Sequence, residues 1–198
     1  GHKIATIHNG IDIQNFSPNE SDLDIKVLEK YGLTKNKKIV IHVTPSFSSP
    51  IKGGQYFKEL SQKLSEEYLP VVIGSKEKIS DKVINIPFVS NQNELAVLYR
   101  QSSIMVITSI ADNYPTVCLE ANCCGTPVVG FDVGGVKEAI DTGLGEVVPP
   151  YDVNALIEKV EKWCDCKKAI PNSVVESRKN YCDFHRMANE YINLYKSL

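Results

Sequence analysis

The chain has 198 residues and is 42% hydrophobic, which suits one α/β domain with an appendage and supplies enough apolar material for one well-buried core. A formal net charge of -2 leaves no basic patch to favour nucleic acid as a partner. No apolar run approaches the roughly 18 residues that span a bilayer, and no charged segment leads into an apolar one at the start, so neither a transmembrane segment nor an export signal is expected and the setting reads as cytoplasmic.

Residues 1–36 hold one apolar run, Ile4 to Ile7, then an Asn9-Gly10 turn and a polar stretch with Pro18. Ile39 to Val43 is the first clear strand, followed by Val71 to Ile73, Val83 to Ile86, Ile104 to Ile107, Val128 to Phe131 and Glu146 to Val148. These runs are β-branched and nearly continuous, the pattern of strands buried on both faces of a parallel sheet. The intervening segments Gly54 to Glu66, Asn93 to Gln101, Thr116 to Cys124 and Val136 to Ile140 are long enough for crossover helices. Repeated strand–helix units predict an α/β, Rossmann-like doubly wound sheet, whose ligands bind beyond the carboxyl ends of the strands. Chemistry is therefore sought in the loops after Val43, Gly74, Ile86 and Thr108.

After Pro149-Pro150 the chain reads as helical, with Val153, Leu156, Ile157 and Val160 on one face and Trp163 as a core anchor. Near the end, Tyr191, Leu194, Tyr195 and Leu198 fall at helical spacing on one side of a polar segment. The six cysteines read as reduced thiols in a long chain with a normal core. Cys164-Asp165-Cys166 lacks the two-residue gap of a metal or redox pair, and no metal site is expected there.

A dinucleotide fingerprint, a phosphate loop ending in Gly-Lys-Ser/Thr and a Gly-x-Ser-x-Gly elbow are all missing. The most informative stretch is Thr108 to Gly135. A strand ends near Thr108, a loop carries Asp112, and Pro115-Thr116 stands where a helix should begin. Proline suits a first helical turn, and the free N–H groups there, aided by the helix dipole, form an anion site. Glu120 follows one turn into the helix. Carboxylates accept hydrogen bonds from hydroxyls, so an anion flanked by two acids fits a ligand with phosphate at its centre and polyhydroxyl groups on either side: a nucleotide sugar.

Asp112 and Glu120 with seven residues between them, Gly125-Thr126-Pro127-Val128-Val129, Gly134-Gly135 and Glu138 resemble the signature of the retaining glycosyltransferases of the GT-B fold known as group one, or family four. Asn9-Gly10-Ile11-Asp12 with Phe16 and Pro18 resembles that family's crossover into its second domain. Lys52-Gly53 resembles its donor-phosphate lysine, and Phe88-Val89-Ser90 followed by Glu94-Leu95 and Leu98-Tyr99 resembles its base-binding segment. The likeness covers about residues 4–160 in the right order.

The resemblance implies roles. Asp112 would contact the donor sugar, Asn113, Tyr114, Pro115 and Thr116 would lie beside the sugar and phosphates, Lys52 would bind the diphosphate, Glu120 the ribose, and the main chain at Phe88 and Val89 the base. Three positions depart from the pattern. Pro45-Ser46 stands in place of a Gly-Arg pair, so Ser46 brings no second cation; Asp112 replaces a commoner Glu; and Asn113-Tyr114-Pro115 replaces a glycine-rich segment. Tyr114 would stack on a sugar or cap the loop, and His42 reads as a satisfied core histidine.

The implied whole is an enzyme moving a sugar, with retention, from a nucleoside diphosphate donor to a glycan or lipid-linked acceptor, without metal or other cofactor, in bacterial cell-surface polysaccharide synthesis and near the inner membrane face. Residues 1–18 would be the interdomain crossover, 19–165 the donor-binding domain and 166–198 a helical segment crossing back to an amino-terminal half that holds the acceptor site. The Ile4 to Ile7 run and the final helical stripe would then pack on each other or on a second copy, or be poorly ordered. Two alternatives stand beside this reading: a non-catalytic nucleotide-sugar-binding module and a GT-B-like nucleotide-sugar epimerase.

Overall fold

A computed structural model of the chain describes residues 4–140 and 142–197. Six strands, β1 (Lys38–Val43), β2 (Tyr68–Ile73), β3 (Ile84–Ile86), β4 (Ile104–Ile107), β5 (Val128–Phe131) and β6 (Gly145–Val148), form one parallel sheet in the order β3-β2-β1-β4-β5-β6. Strand order reverses between β1 and β4, which opens a crevice at their carboxyl ends.

The near-continuous apolar runs follow from burial on both faces. Ile39, Ile41, Val71, Ile73, Met105 and Ile107 enter one core, while Val40, Val72, Ile104, Val106, Val129 and Phe131 enter the other. The first face is covered by α1 (Asp22–Lys30), α3 (Gln92–Gln101), α4 (Thr116–Cys123) and the short α5 (Val136–Ala139). The second is covered by α2 (Gly54–Lys63) and α6 (Val153–Cys166), with Leu156 and Val160 fully buried and Trp163 packed beside them. β2 begins three residues before the apolar run at Val71. Pro70 pairs only with Val40 of β1, at a point where the register with β3 has not begun, so its missing N–H leaves no ladder bond broken on that side.

Helix α1 lies in the flank read as a polar stretch. Ser21 N–H donates to Asp24 Oδ1 (3.1 Å), one arm of a capping box, and Val27 and Leu28 turn inward. Asp24 itself is buried and accepts from Arg100 Nε (2.7 Å) and Gln101 Nε2 (2.7 Å) of α3.

The segment around Ile11 meets the junction between the last two helices. α7 (Asn172–Cys182) packs on α4 through Val175, Arg178 and Cys182, and α8 (Phe184–Lys196) follows after a break at Asp183. There Ile11 N–H donates to Cys182 O (2.8 Å) and Phe184 N–H donates to Ile11 O (3.0 Å). Gly10 makes this approach possible, because a Cβ on it would stand 2.5 Å from Phe184 Cα. The stripe on α8 is not buried against the sheet: Tyr191 and Tyr195 are exposed and Leu194 is half-buried, while Ile4 is 94% exposed. Leu198 lies outside the described residues.

Candidate functional site

The loops leaving β1 and β4 frame the crevice at the point where strand order reverses. After β1 the chain runs through a polar turn into a short 3-10 helix, Pro50–Lys52, ended by Gly53 in the left-handed region (φ 63°). A Cβ at Gly53 would meet Thr108 O at 1.9 Å, so only glycine lets this turn lie against the end of β4. Ile110 N–H donates to Ile51 O (2.8 Å), which sews the two loops together. The outcome is that Lys52 Nζ and Asp112 Oδ2 form an ion pair at 2.9 Å, with Asp112 the more buried partner.

Lys52, Asp112, Tyr114, Pro115 and Thr116 line one cavity of about 230 Å³, together with His42 and Thr44. Pro115 caps α4, and Cys118 N–H is the first amide of that turn to find a backbone carbonyl, Pro115 O at 3.1 Å. The start of α4 therefore points amide donors and the positive dipole end at the cavity that Lys52 enters. A hollow of about 300 Å³ beside Trp163 is larger but lies at the sheet edge, and Glu146 there is already paired with Lys159 and Lys162.

The double glycine after β5 explains itself sterically. Gly135 N–H donates to Asp112 O (2.9 Å), and a Cβ on Gly135 would sit 1.7 Å from Asn113 O. Backbone here packs on backbone, and any side chain at Gly135 would push the Asp112–Asn113 loop out of the cavity wall.

Glu120 stands one turn into α4, beside the cavity rather than in its lining. Its Oε2 accepts a hydrogen bond from the Tyr99 hydroxyl at 2.8 Å, and Tyr99 is fully buried. Burial raises the Glu120 pKa above the usual carboxylate value, and the Tyr99 hydroxyl pulls against that rise.

The family model for glycosyl transferases group 1 matches residues 29–181, a span that runs through every one of these elements. The chain belongs to that family. Among its relatives, the D-inositol 3-phosphate glycosyltransferase of Mycolicibacterium smegmatis is 27% identical over 84% of this chain and 41% of its own length. The UDP-Gal:alpha-D-GlcNAc-diphosphoundecaprenol alpha-1,3-galactosyltransferase of Escherichia coli is 26% identical over 83% of this chain and 46% of its own. The chain thus spans less than half the length of these curated relatives. Anabaena HepE, solved in complex with UDP-glucose, shares the fold with a TM-score of 0.78 at 19% identity, over 97% of this chain and 57% of that one.

Set in this group 1 glycosyltransferase domain, the residues singled out from sequence divide into two sets. Lys52, Asp112, Tyr114, Pro115 and Thr116 converge on one cavity. Asn113 is exposed on its rim, its carbonyl against Gly135. Ser46 is exposed in a turn where its N–H donates to Thr44 Oγ1 (3.3 Å), outside the cavity lining. Phe88 and Val89 follow β3, two strands away from β1; Val89 is buried in the core and Phe88 is 73% exposed. His42 differs from the satisfied core histidine expected. Nδ1 donates to Val106 O (2.9 Å), but buried Nε2 has no hydrogen-bond partner, and burial pushes the pKa down to about 4. The ring is thus neutral, with Nε2 an acceptor. Tyr99, legible only as part of a matched segment, proves to be the partner of Glu120.

Proposed function

We propose that this domain binds a nucleoside diphosphate sugar, as the donor-binding half of a retaining glycosyltransferase that serves a glycan or lipid-linked acceptor. The carrying observation is the convergence of Lys52, Asp112 and the open start of α4 on one cavity where strand order reverses, with Glu120 one turn further on. That sequence of groups matches the parts of the ligand. Lys52 and the α4 amides meet the diphosphate, Asp112 meets the sugar, Glu120 meets the ribose, and the segment at Phe88 and Val89 meets the base.

The Lys52–Asp112 pair gives this reading a mechanism. Before a donor arrives, Asp112 holds the ammonium over the cavity. A diphosphate adds a second anion to Lys52, and Asp112 becomes available to accept a hydrogen bond from a sugar hydroxyl. As the glycosidic bond to the phosphate breaks, negative charge grows on the leaving diphosphate, where Lys52 and the helix start are already placed. The positive charge comes from the chain itself, so the reading requires no metal. A UDP-linked donor and a lipid-linked acceptor agree with the names of the E. coli relative and the HepE complex; a role in bacterial cell-surface polysaccharide synthesis at the inner membrane face is part of the same proposal.

A thermal-shift panel of UDP, GDP, ADP and TDP, run with and without a chelator, tests the reading. At about 100 times its dissociation constant a ligand contributes roughly 2.7 kcal/mol to stability, or about 5–10 °C in Tm for a domain this size. At least one diphosphate should give such a shift, undiminished by chelator; no shift with any of the four would refute the donor-site reading.

A further inference from the structure

The His8 side chain, in the segment entering the domain, reaches the cavity loop. Its ring lies flat on Tyr114, with centroids 4.6 Å apart and planes within 1°. Its Nε2 lies 2.9 Å from Glu138 Oε2, and its Nδ1 lies 2.7 Å from the Tyr181 hydroxyl. A carboxylate only accepts, so Nε2 carries the proton and donates to Glu138. In the neutral ring, Nδ1 then accepts from Tyr181. Tyr114 is buried and lines the cavity; His8 covers part of its ring.

These contacts close a circuit. The Asp112–Tyr114 loop packs backbone on backbone against Gly134-Gly135, with Gly135 N–H donating to Asp112 O. Gly135 leads straight into α5, which carries Glu138. Glu138 returns to the loop through His8 and Tyr114. The Glu that closes the double-glycine motif otherwise has no task in the site as described.

We infer that His8 and Glu138 are positioning residues for Tyr114: Glu138 fixes the His8 ring, and the ring holds the Asp112–Tyr114 loop against the cavity. Because His8 precedes the Asn9-Gly10 turn, the segment entering the domain is mechanically joined to the wall of the proposed donor site. The assignment of that wall to a donor site rests on the proposed function; the joining of His8 to the loop does not.

Amide hydrogen exchange followed by NMR on the 198-residue chain, without ligand, tests the coupling. The reporter is Gly135 N–H, held by Asp112 O; Val72 N–H in β2 is the control. His8→Ala is expected to speed Gly135 exchange about tenfold, the order of one aromatic stack, and to leave Val72 unchanged. Glu138→Gln, which weakens a half-exposed contact, should speed it about twofold. The double variant should be no faster than His8→Ala alone, because Glu138 acts through His8. His8→Phe keeps a flat ring on Tyr114 and should restore most of the protection. Unchanged Gly135 exchange in His8→Ala, equal acceleration of Gly135 and Val72, independent effects that multiply in the double variant, or no rescue by His8→Phe would each overturn the inference. Failure of nucleotides to bind would instead overturn the donor reading and leave this result standing.

Discussion

Glu120 shows how one hydroxyl keeps a half-buried carboxylate usable. Burial favours its protonated form, and Tyr99 holds the charge by donating at 2.8 Å. Tyr99→Phe removes one oxygen and leaves the ring in the core, so the Glu120 carboxyl should titrate at higher pH than in the natural chain. Carboxyl-carbon NMR reads this directly, and an unchanged titration would mean that the hydroxyl does not support the charge. The raised pKa also has a consequence for the fold. A buried acid whose folded pKa exceeds its unfolded one costs stability above that folded pKa, and the cost disappears as pH falls through it. Glu120→Gln should therefore raise the Tm at pH 7 while weakening nucleotide binding; a lowered Tm would contradict this. Lys52, Asp112 and Glu120 were legible because they sit at fixed spacing in a motif. Contacts between distant segments were not: Tyr99 reaches Glu120 from α3, and His8 reaches Glu138 across 130 residues of chain. Such pairings are made by the fold, and no local pattern in the sequence encodes them.

At the scale of elements, the strands were legible because a sheet buried on both faces demands apolar runs, and this chain supplies six. Helix α1 was not, because its inward side is anchored by an acid. Burial opposes ionisation of Asp24, but hydrogen bonds from Arg100, Gln101 and Ser21 outweigh it and hold the carboxyl at about 2, below its usual 3.8. An acid with a depressed folded pKa contributes stability that is fully present above its unfolded pKa and is lost as pH falls through the folded one. Asp24 should therefore contribute roughly 2 kcal/mol above about pH 4, fading toward pH 2. Urea unfolding of Asp24→Asn should show that loss at pH 7 and a shallower decline between pH 4 and 2 than the natural chain. Identical pH slopes would remove Asp24 from the account.

For the whole molecule, alternating strands and helices implied a doubly wound sheet, but the order β3-β2-β1-β4-β5-β6 and the pinning of Ile11 between Cys182 and Phe184 came only with the structure. The apolar stripe of α8 remains on the surface, with Tyr191 and Tyr195 exposed. Tyr191→Ala with Tyr195→Ala should change the stability of the 198-residue chain by no more than about 0.5 kcal/mol in denaturant unfolding, as for ordinary surface positions. A loss several times larger would mean that the stripe packs within this chain. The central claim is that one cavity, walled by Lys52, Asp112 and the start of α4, takes a nucleoside diphosphate whose ribose rests on Glu120. Titration calorimetry with UDP and with uridine, on the natural chain, Lys52→Ala and Glu120→Ala, tests it most directly. Lys52→Ala should weaken UDP about 10- to 100-fold, the scale of one charge-assisted hydrogen bond, and leave uridine nearly unchanged, while Glu120→Ala should weaken both. Equal losses of UDP and uridine in Lys52→Ala, or undiminished binding in Glu120→Ala, would contradict the account.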